Sequence, residues 1–254
     1  MIAKLEGKRA LVTGGGQGLG AAIVEHLLEA GAQVAIHYFS SETGARELQT
    51  LARNKSRRAE VFPADLTKAD GAVGLVNAAV SFLGGLDILI NNAGDLVQRR
   101  WIQELDSSYW ERVMSVNVSS MVWVTRAAVP SLAKAGQASI VNISSLAGRK
   151  GGHAGSLAYS TAKGAVLTWT RSLAVELAPK GIRVNCVAPG LVLGTRFHST
   201  HTTAETVQKT IETIPLARAG TPADVARAVV YLASEYDGFI TGATLDINGG
   251  VYAA

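Results

Sequence analysis

The chain has a single cysteine, Cys186, among its 254 residues, so it forms no internal disulfide and offers no multi-cysteine metal site. Cys186 lies in the apolar run Val184 to Ala188 and reads as a buried, inert thiol. The five histidines, His26, His37, His153, His198 and His201, show neither HxxxH nor HExxH spacing, which argues against a metal centre. Six prolines stand against 27 glycines with no collagen-like period, a balance that suits tight strand-to-helix turns rather than disorder. No run of about 18 apolar residues occurs, so no segment is expected to span a membrane. Met1 to Lys8 is polar and lacks the apolar core of a signal peptide, which makes cytoplasmic residence the expectation. The net charge of +4 is scattered; its densest run, Lys55-Ser56-Arg57-Arg58, falls between a helix and a strand and reads as a solvated turn, not a nucleic-acid surface.

What is present is enough apolar sequence, 48%, for one large core, and the expectation is one domain over residues 1–254. Apolar runs at Arg9 to Val12, Gln33 to His37, Ala59 to Pro63, Leu86 to Ile90, Ala138 to Ile143, Arg183 to Val187 and Thr244 to Ile247 alternate with helical patterns. Parallel strands need crossover helices, so this alternation predicts a Rossmann-like, doubly wound α/β fold: seven parallel strands with helices on both faces.

The first strand runs into Thr13-Gly14-Gly15-Gly16-Gln17-Gly18-Leu19-Gly20 and then a helix. Glycines between a strand and a helix let the backbone approach a pyrophosphate, whose charge the free N–H groups of the helix start favour. Where an NAD-specific site places an acid at the end of the second strand, this chain has Tyr38, followed by Ser40 and Ser41. That pattern points to NADP(H), with NAD(H) as the alternative. Asp65, before Leu66, accepts from adenine or caps a turn. Asn91-Asn92-Ala93-Gly94 ends the fourth strand, where such sheets bind ligands. On a helix, Tyr159 and Lys163 at i and i+4 share one face, and the ammonium would favour the phenolate.

Together with Asn117, Asn142-Ile143-Ser144-Ser145, Pro189-Gly190, Ile240-Thr241-Gly242 and Asp246 to Gly250, these motifs resemble the short-chain dehydrogenase/reductase family in order and over nearly the whole chain. The resemblance implies a catalytic set of Asn117, Ser145, Tyr159 and Lys163. Tyr159 would be the general acid in carbonyl reduction and the base in alcohol oxidation. Lys163 would lower the tyrosine pKa and hold the nicotinamide ribose, Ser145 would polarise the carbonyl, and Asn117 would hold a water leading to Lys163. Cofactor contacts are implied at Gly14, Gln17, Gly18, Leu19, Gly20, Tyr38, Ser40, Ser41, Asp65, Leu66, Asn92, Ala93, Gly94, Ile143, Tyr159, Lys163, Pro189, Gly190, Val192 and Thr195. The chain departs from the family pattern twice: thirteen residues separate Ser145 from Tyr159, one more than usual, and Thr195 comes one place late after Gly194.

The resemblance also implies a homotetramer, with the helices around Asn117 and Tyr159 at one interface and the last strand at another. It is greatest to 3-oxoacyl-[acyl-carrier-protein] reductases and to sugar or polyol dehydrogenases. A carrier protein would want a basic rim, for which Lys134, Arg149, Lys150 and Lys180 are candidates. A polyol would want polar groups in the threonine-rich stretch 191–216, which reads as a substrate lid: His198, Ser199, Thr200, His201, Thr202 and Thr203. Trp101, Trp110, Trp123 and Trp169 read as packing or interface residues. The expectation is reduction of a 3-oxoacyl-type carbonyl. A polyol dehydrogenase and a non-catalytic nucleotide sensor are the alternatives, the sensor disfavoured because all four catalytic positions are filled.

Overall fold

In the computed structural model, which describes residues 4–195, 200, 203–234 and 238–253, every expected strand forms and pairs in parallel. They are β1 (Arg9–Val12), β2 (Gln33–Tyr38), β3 (Ala59–Pro63), β4 (Ile88–Asn91), β5 (Ala138–Ile143), β6 (Ile182–Pro189) and β7 (Thr244–Ile247). Their order across the sheet is β3-β2-β1-β4-β5-β6-β7. The chain therefore starts in the middle, builds outward to β3, and crosses back to place β4 against the other side of β1. That reversal leaves a crevice beyond the carboxyl ends of β1 and β4, the place where open α/β sheets take ligands.

The strands are apolar without interruption because both faces are covered. Successive side chains point to opposite faces, and the two layers of core separate along that period of two. Ala10, Val12, Val34, Ile36, Ile88, Ile90, Val141 and Val187 face one layer, built on α1 (Gly18–Glu29), α2 (Glu42–Asn54) and a helix at Pro222–Ala233. Leu11, Ala35, Leu89, Ile140 and Val184 face the other, built on α3 (Ala69–Leu83), α5 (Ser120–Lys134) and α7 (Leu157–Leu177). Trp123 and Trp169 pack against this second layer, while Trp101 is 60% exposed.

Between α3 and α5 lies α4 (Ser107–Met114), which passes into a π-helical segment, Ser115–Ser119, before α5 begins. After β5 comes the short α6 (Leu146–Lys150). The stretch expected as a lid carries α8 (Ala204–Glu212). Its threonines weaken the helical signal, but Thr203 Oγ1 caps it by accepting from the Thr206 N–H at 3.2 Å, and Lys209 pairs with Glu205 one turn back. The last helix, α9 (Pro222–Ala233), was not foreseen; Thr221 and Asp224 form its capping box and Pro222 opens its first turn.

At the opposite end of the sheet from the crevice, Arg9 locks β1 to the start of β4. Its Nε and Nη2 donate to the two carboxylate oxygens of Asp87 at 2.8 and 2.9 Å, its backbone N–H to the same carboxylate at 2.8 Å, and Nη1 to the Gly84 carbonyl at 2.8 Å. Burial alone would raise the Asp87 pKa, but the Arg9 hydrogen bonds outweigh it and hold the carboxyl below its ordinary value. A depressed folded pKa contributes stability above the unfolded carboxylate range and loses it as pH falls through the folded value. Asp87→Asn is expected to destabilise the protein by about 1–3 kcal/mol at neutral pH. Denaturant unfolding should show the gap between variant and wild type closing as the solution is acidified below the carboxylate range.

Candidate active site

Tyr159 and Lys163 stand one turn apart on α7, 9% and 4% exposed, with the Lys163 ammonium 5.7 Å from the centre of the tyrosine ring. Their helix is fixed to β5 from both sides. Lys163 Nζ donates to the Ile143 carbonyl at 3.0 Å, and Ser144 Oγ donates to the Lys163 carbonyl at 2.7 Å. Ser145, the next residue, caps α6: its Oγ accepts from the Ala147 N–H at 3.1 Å and also hydrogen-bonds the Tyr159 hydroxyl. The far end of α6 is anchored by Arg149, whose guanidinium grips Asp246 of β7 at 3.0 and 2.9 Å.

Asn117 lies buried in the π-helical segment. Its Nδ2 donates to the Asp95 and Val113 carbonyls at 2.7 and 2.9 Å, and its Oδ1 accepts from the Asp95 N–H at 3.1 Å. Both amide hydrogens are thus engaged by backbone, so the side chain clamps the loop after β4. Gly94 in that loop has no room for a side chain: a Cβ would stand 2.7 Å from Asn117 Oδ1 and 2.9 Å from Lys163 Nζ. Asn117 and Lys163 therefore converge on a backbone position that has to be bare.

Burial decides the electrostatics. It pushes the Tyr159 phenol up to about 12, with the Ser145 hydrogen bond pulling the other way and the Asp95 carboxylate adding to the rise. It pulls the Lys163 ammonium down to about 8, against the opposing influence of Cys186 and Asp95. Loss of water around the phenolate is the largest influence on Tyr159 in this structure, above the hydrogen bond from Ser145. Near neutrality Tyr159 keeps its proton.

From this pair a cleft of about 760 Å³ runs back to the glycine turn. It is lined by the turn itself, by Asn92 to Gly94, Ile143, Ser145 and the segment Pro189 to Val192 with Thr195. Thr195 rests against Gly18, so its shift by one place in sequence does not remove it from the turn. The residues fit a dinucleotide. Gly14 and Gly18 take left-handed φ values of +62° and +54°, and a Cβ on Gly20 would lie 2.0 Å from the Gly14 carbonyl oxygen. Gln17, the residue before α1, offers no side-chain cap, which leaves the N–H groups of that helix start to an anion.

The implied positions after β2 and β3 divide between core, turn and surface. Tyr38 is buried in the core among Val34 and Ile36, because its position in the strand alternation turns it away from solvent; Phe39, 63% exposed, is the side chain presented after β2. Ser40 is exposed, and Ser41 packs on Gly16, where a Cβ would meet Ser41 Oγ at 2.5 Å. Asp65 caps a turn: its Oδ1 accepts from the Thr67 N–H and hydroxyl at 3.0 and 2.6 Å. Leu66 is buried in the core.

The basic rim does not assemble. Lys134 and Lys180 precede β5 and β6 and so lie at the amino ends of strands whose carboxyl ends form the site. Arg149 is held by Asp246, which leaves Lys150 on the cleft. Sequence reasoning also missed the wall opposite. Arg99 lines the cleft and donates to the Ala154 carbonyl at 3.0 Å, while the Arg100 N–H donates to Gly155 at 2.9 Å, so the longer loop before Tyr159 is tied down. Thr206, Lys209, Thr210 and Thr213 present one face of α8 and its end to the cleft. His198, Ser199, His201 and Thr202 lie outside the described residues. Among the described residues no helix is long and apolar enough to cross a membrane.

Residues 14–252 match the family described as Enoyl-(Acyl carrier protein) reductase. The chain is 36% identical to the 3-oxoacyl-[acyl-carrier-protein] reductase of Aquifex aeolicus, across 99% of this chain and 100% of that one. Among solved structures it resembles a short-chain dehydrogenase/reductase of Brucella melitensis described as glucose/ribitol dehydrogenase, with a TM-score of 0.91, 31% identity and both chains covered at 100%. It also resembles an NADH-dependent reductase responsible for alginate metabolism, with a TM-score of 0.89 and 33% identity over 98% of this chain and 99% of that one.

Gly20→Ala places a methyl group against the Gly14 backbone oxygen, so the turn has to open. Dinucleotide affinity, read by fluorescence titration, is expected to fall at least about tenfold, the loss of roughly one hydrogen bond's worth of fit.

Proposed function

The chain belongs to the short-chain dehydrogenase/reductase family of NAD(P)-dependent oxidoreductases, and on that premise we propose that it reduces a small-molecule ketone of the 3-oxoacyl type to a secondary alcohol. The observation that carries this reading is the Tyr159 hydroxyl: buried, bonded to Ser145, and one helical turn from Lys163. When bound, the nicotinamide supplies the hydride.

The protein's own residues do the rest. Ser145 donates to the substrate oxygen and orients it toward Tyr159, which delivers the proton as negative charge builds there; proton transfer of this kind is worth about 10²- to 10⁴-fold. Lys163, close behind the ring and pulled to a pKa of about 8, is a cation near neutrality that steadies the phenolate left after transfer. Asn117 acts on Lys163 through the Gly94 loop and holds that loop in place. The buried setting strengthens each of these interactions by excluding water.

NADPH is the proposed reductant. No carboxylate occupies positions 38 to 41 to repel a 2′-phosphate, Ser41 packs on Gly16 of the glycine turn, and Ser40 is exposed. The similarity to an NADH-dependent reductase makes the contrary result informative. Paired calorimetric titrations are expected to show tighter binding of NADPH; NADH binding at least about tenfold more tightly would reverse this assignment.

A second reading has one observation in its favour. The α8 wall of the cleft carries Thr206, Lys209, Thr210 and Thr213, a face suited to a hydroxylated substrate such as a sugar or polyol. The homotetramer belongs to the same family-based reading, and exposed Leu157 and Val175 on α7 and Trp110 on α4 are apolar side chains available to such an assembly.

The reaction is tested by the pair of variants that divides the roles. Tyr159→Phe is expected to abolish turnover and leave nucleotide affinity nearly unchanged, whereas Lys163→Ala should weaken both. Activity would be followed as NADPH oxidation with an acetoacetyl thioester, simple ketoses and cyclic ketones, and as NAD(P)-dependent oxidation of polyols. Polyol oxidation without thioester reduction would move the substrate to the second reading.

A further inference from the structure

One buried side chain braces the glycine turn and has no part in the chemistry above. His37 is 2% exposed, near the end of β2 on the face opposite Tyr38. The Gly14 N–H donates to His37 Nδ1 at 3.0 Å, and His37 Nε2 stands 3.1 Å from the Ala64 carbonyl oxygen. An amide N–H can only donate, so Nδ1 carries no proton and the single ring hydrogen belongs to Nε2, which gives it to Ala64. The backbone carbonyl of His37 in turn accepts from the Gly15 N–H at 2.8 Å. Burial keeps the ring neutral, lowering its pKa to about 4 against the pull of the Ala64 carbonyl.

The turn has little slack on its other side. Asn92 Nδ2 donates to the Gly14 carbonyl at 3.0 Å, and Gly20 packs so closely on that carbonyl that no Cβ fits. Gly14 is thus held at its N–H by His37 and at its carbonyl by Asn92. Without an acceptor at Nδ1 its N–H would be left unpaired in a half-buried turn, and the turn would relax toward another partner.

We propose that His37 is a positioning residue for the dinucleotide: it sets the glycine turn from behind and joins it to the Ala64–Leu66 segment at the end of β3. The proposal rests on the reading that the dinucleotide lies in the glycine turn. What it adds is a specific requirement, a neutral acceptor at the Nδ1 position, and that requirement separates two substitutions. In His37→Asn a carboxamide oxygen can take the Gly14 N–H without reaching Ala64. In His37→Leu the volume is kept and the acceptor is lost.

The test measures NADPH and NADH dissociation constants without substrate, then cofactor KM, kcat and thermal unfolding, for wild type and both variants. His37→Leu is expected to raise the dissociation constant and cofactor KM about tenfold, as for a half-buried donor left unpaired, with kcat changed less than about twofold. His37→Asn is expected to recover most of the affinity. A folded Leu variant with wild-type affinity, or an Asn variant as weak as Leu, would overturn the proposal. A second arm uses wild-type protein and does not depend on either variant folding. Proton–nitrogen spectra of ¹⁵N-histidine-labelled protein should show His37 neutral with its proton on Nε2, and its signals should move when nucleotide is added. A proton on Nδ1, or signals unmoved at saturation, would refute it. Wild-type protein that binds neither nucleotide would overturn the dinucleotide reading itself, and this proposal with it.

Discussion

β1 and β4 lie side by side until their carboxyl ends, where the chain leaves them in different directions, and Thr13 and Asn92 govern how they part. Thr13 Oγ1 accepts from the Asn92 and Ala93 N–H groups, each at 3.0 Å, and Asn92 Nδ2 donates to the Thr13 and Gly14 carbonyls at 2.9 and 3.0 Å. These are backbone groups that a sheet would otherwise pair and that a widening crevice leaves without strand partners. Two short polar side chains satisfy them from within. The glycine turn on one side and the Gly94 loop on the other are both hung from this junction, and so is the distance between the glycine-turn end of the cleft and Lys163.

The site built on that junction works by withholding water. Tyr159 and Lys163 are each buried on α7, and desolvation moves them in opposite senses, the phenol up and the ammonium down. The two shifts drive apart a phenol and an ammonium whose ordinary pKa values nearly coincide, so near neutrality the one keeps its proton firmly and the other holds its charge less firmly. Such an arrangement depends on the packing around it more than on the two side chains, which is why so many of the surrounding contacts are from side chain to backbone: Lys163 to Ile143, Ser144 to Lys163, Asn117 to Asp95. Rotamers fixed in this way hold a side chain in place without adding charge near it.

Much of this was legible in the sequence because parallel strands announce themselves as unbroken apolar runs and the glycine, Asn92 and Tyr159 motifs sit at strand ends. What stayed hidden depended on direction. Tyr38 is set on the core face by the same alternation that buries Val34 and Ile36, a rule that could have been applied but yields to the pull of its position after the second strand. Lys134 and Lys180 come just before strands, and in a parallel sheet that places them far from the site; proximity in sequence to β5 and β6 concealed it. The rise in the Tyr159 pKa reflects burial, which spacing alone does not report. The part played by His37 is silent in the sequence, since its partners are backbone groups that leave no pattern of side chains to read.

The π-helical segment Ser115–Ser119 has one more consequence. A π turn carries one residue more than an α turn over the same stretch of axis, so α4 and α5 are, in effect, a single helix interrupted by an insertion, and Asn117 sits in the interruption. The clamp on the Gly94 loop is therefore a local accommodation laid over an otherwise ordinary helix, not a part of the sheet that supports it. Loss of a single residue there would let the helix run on smoothly while removing the hold on the loop beside Lys163. Such a segment lets the hold on one loop be gained or lost almost independently of the architecture.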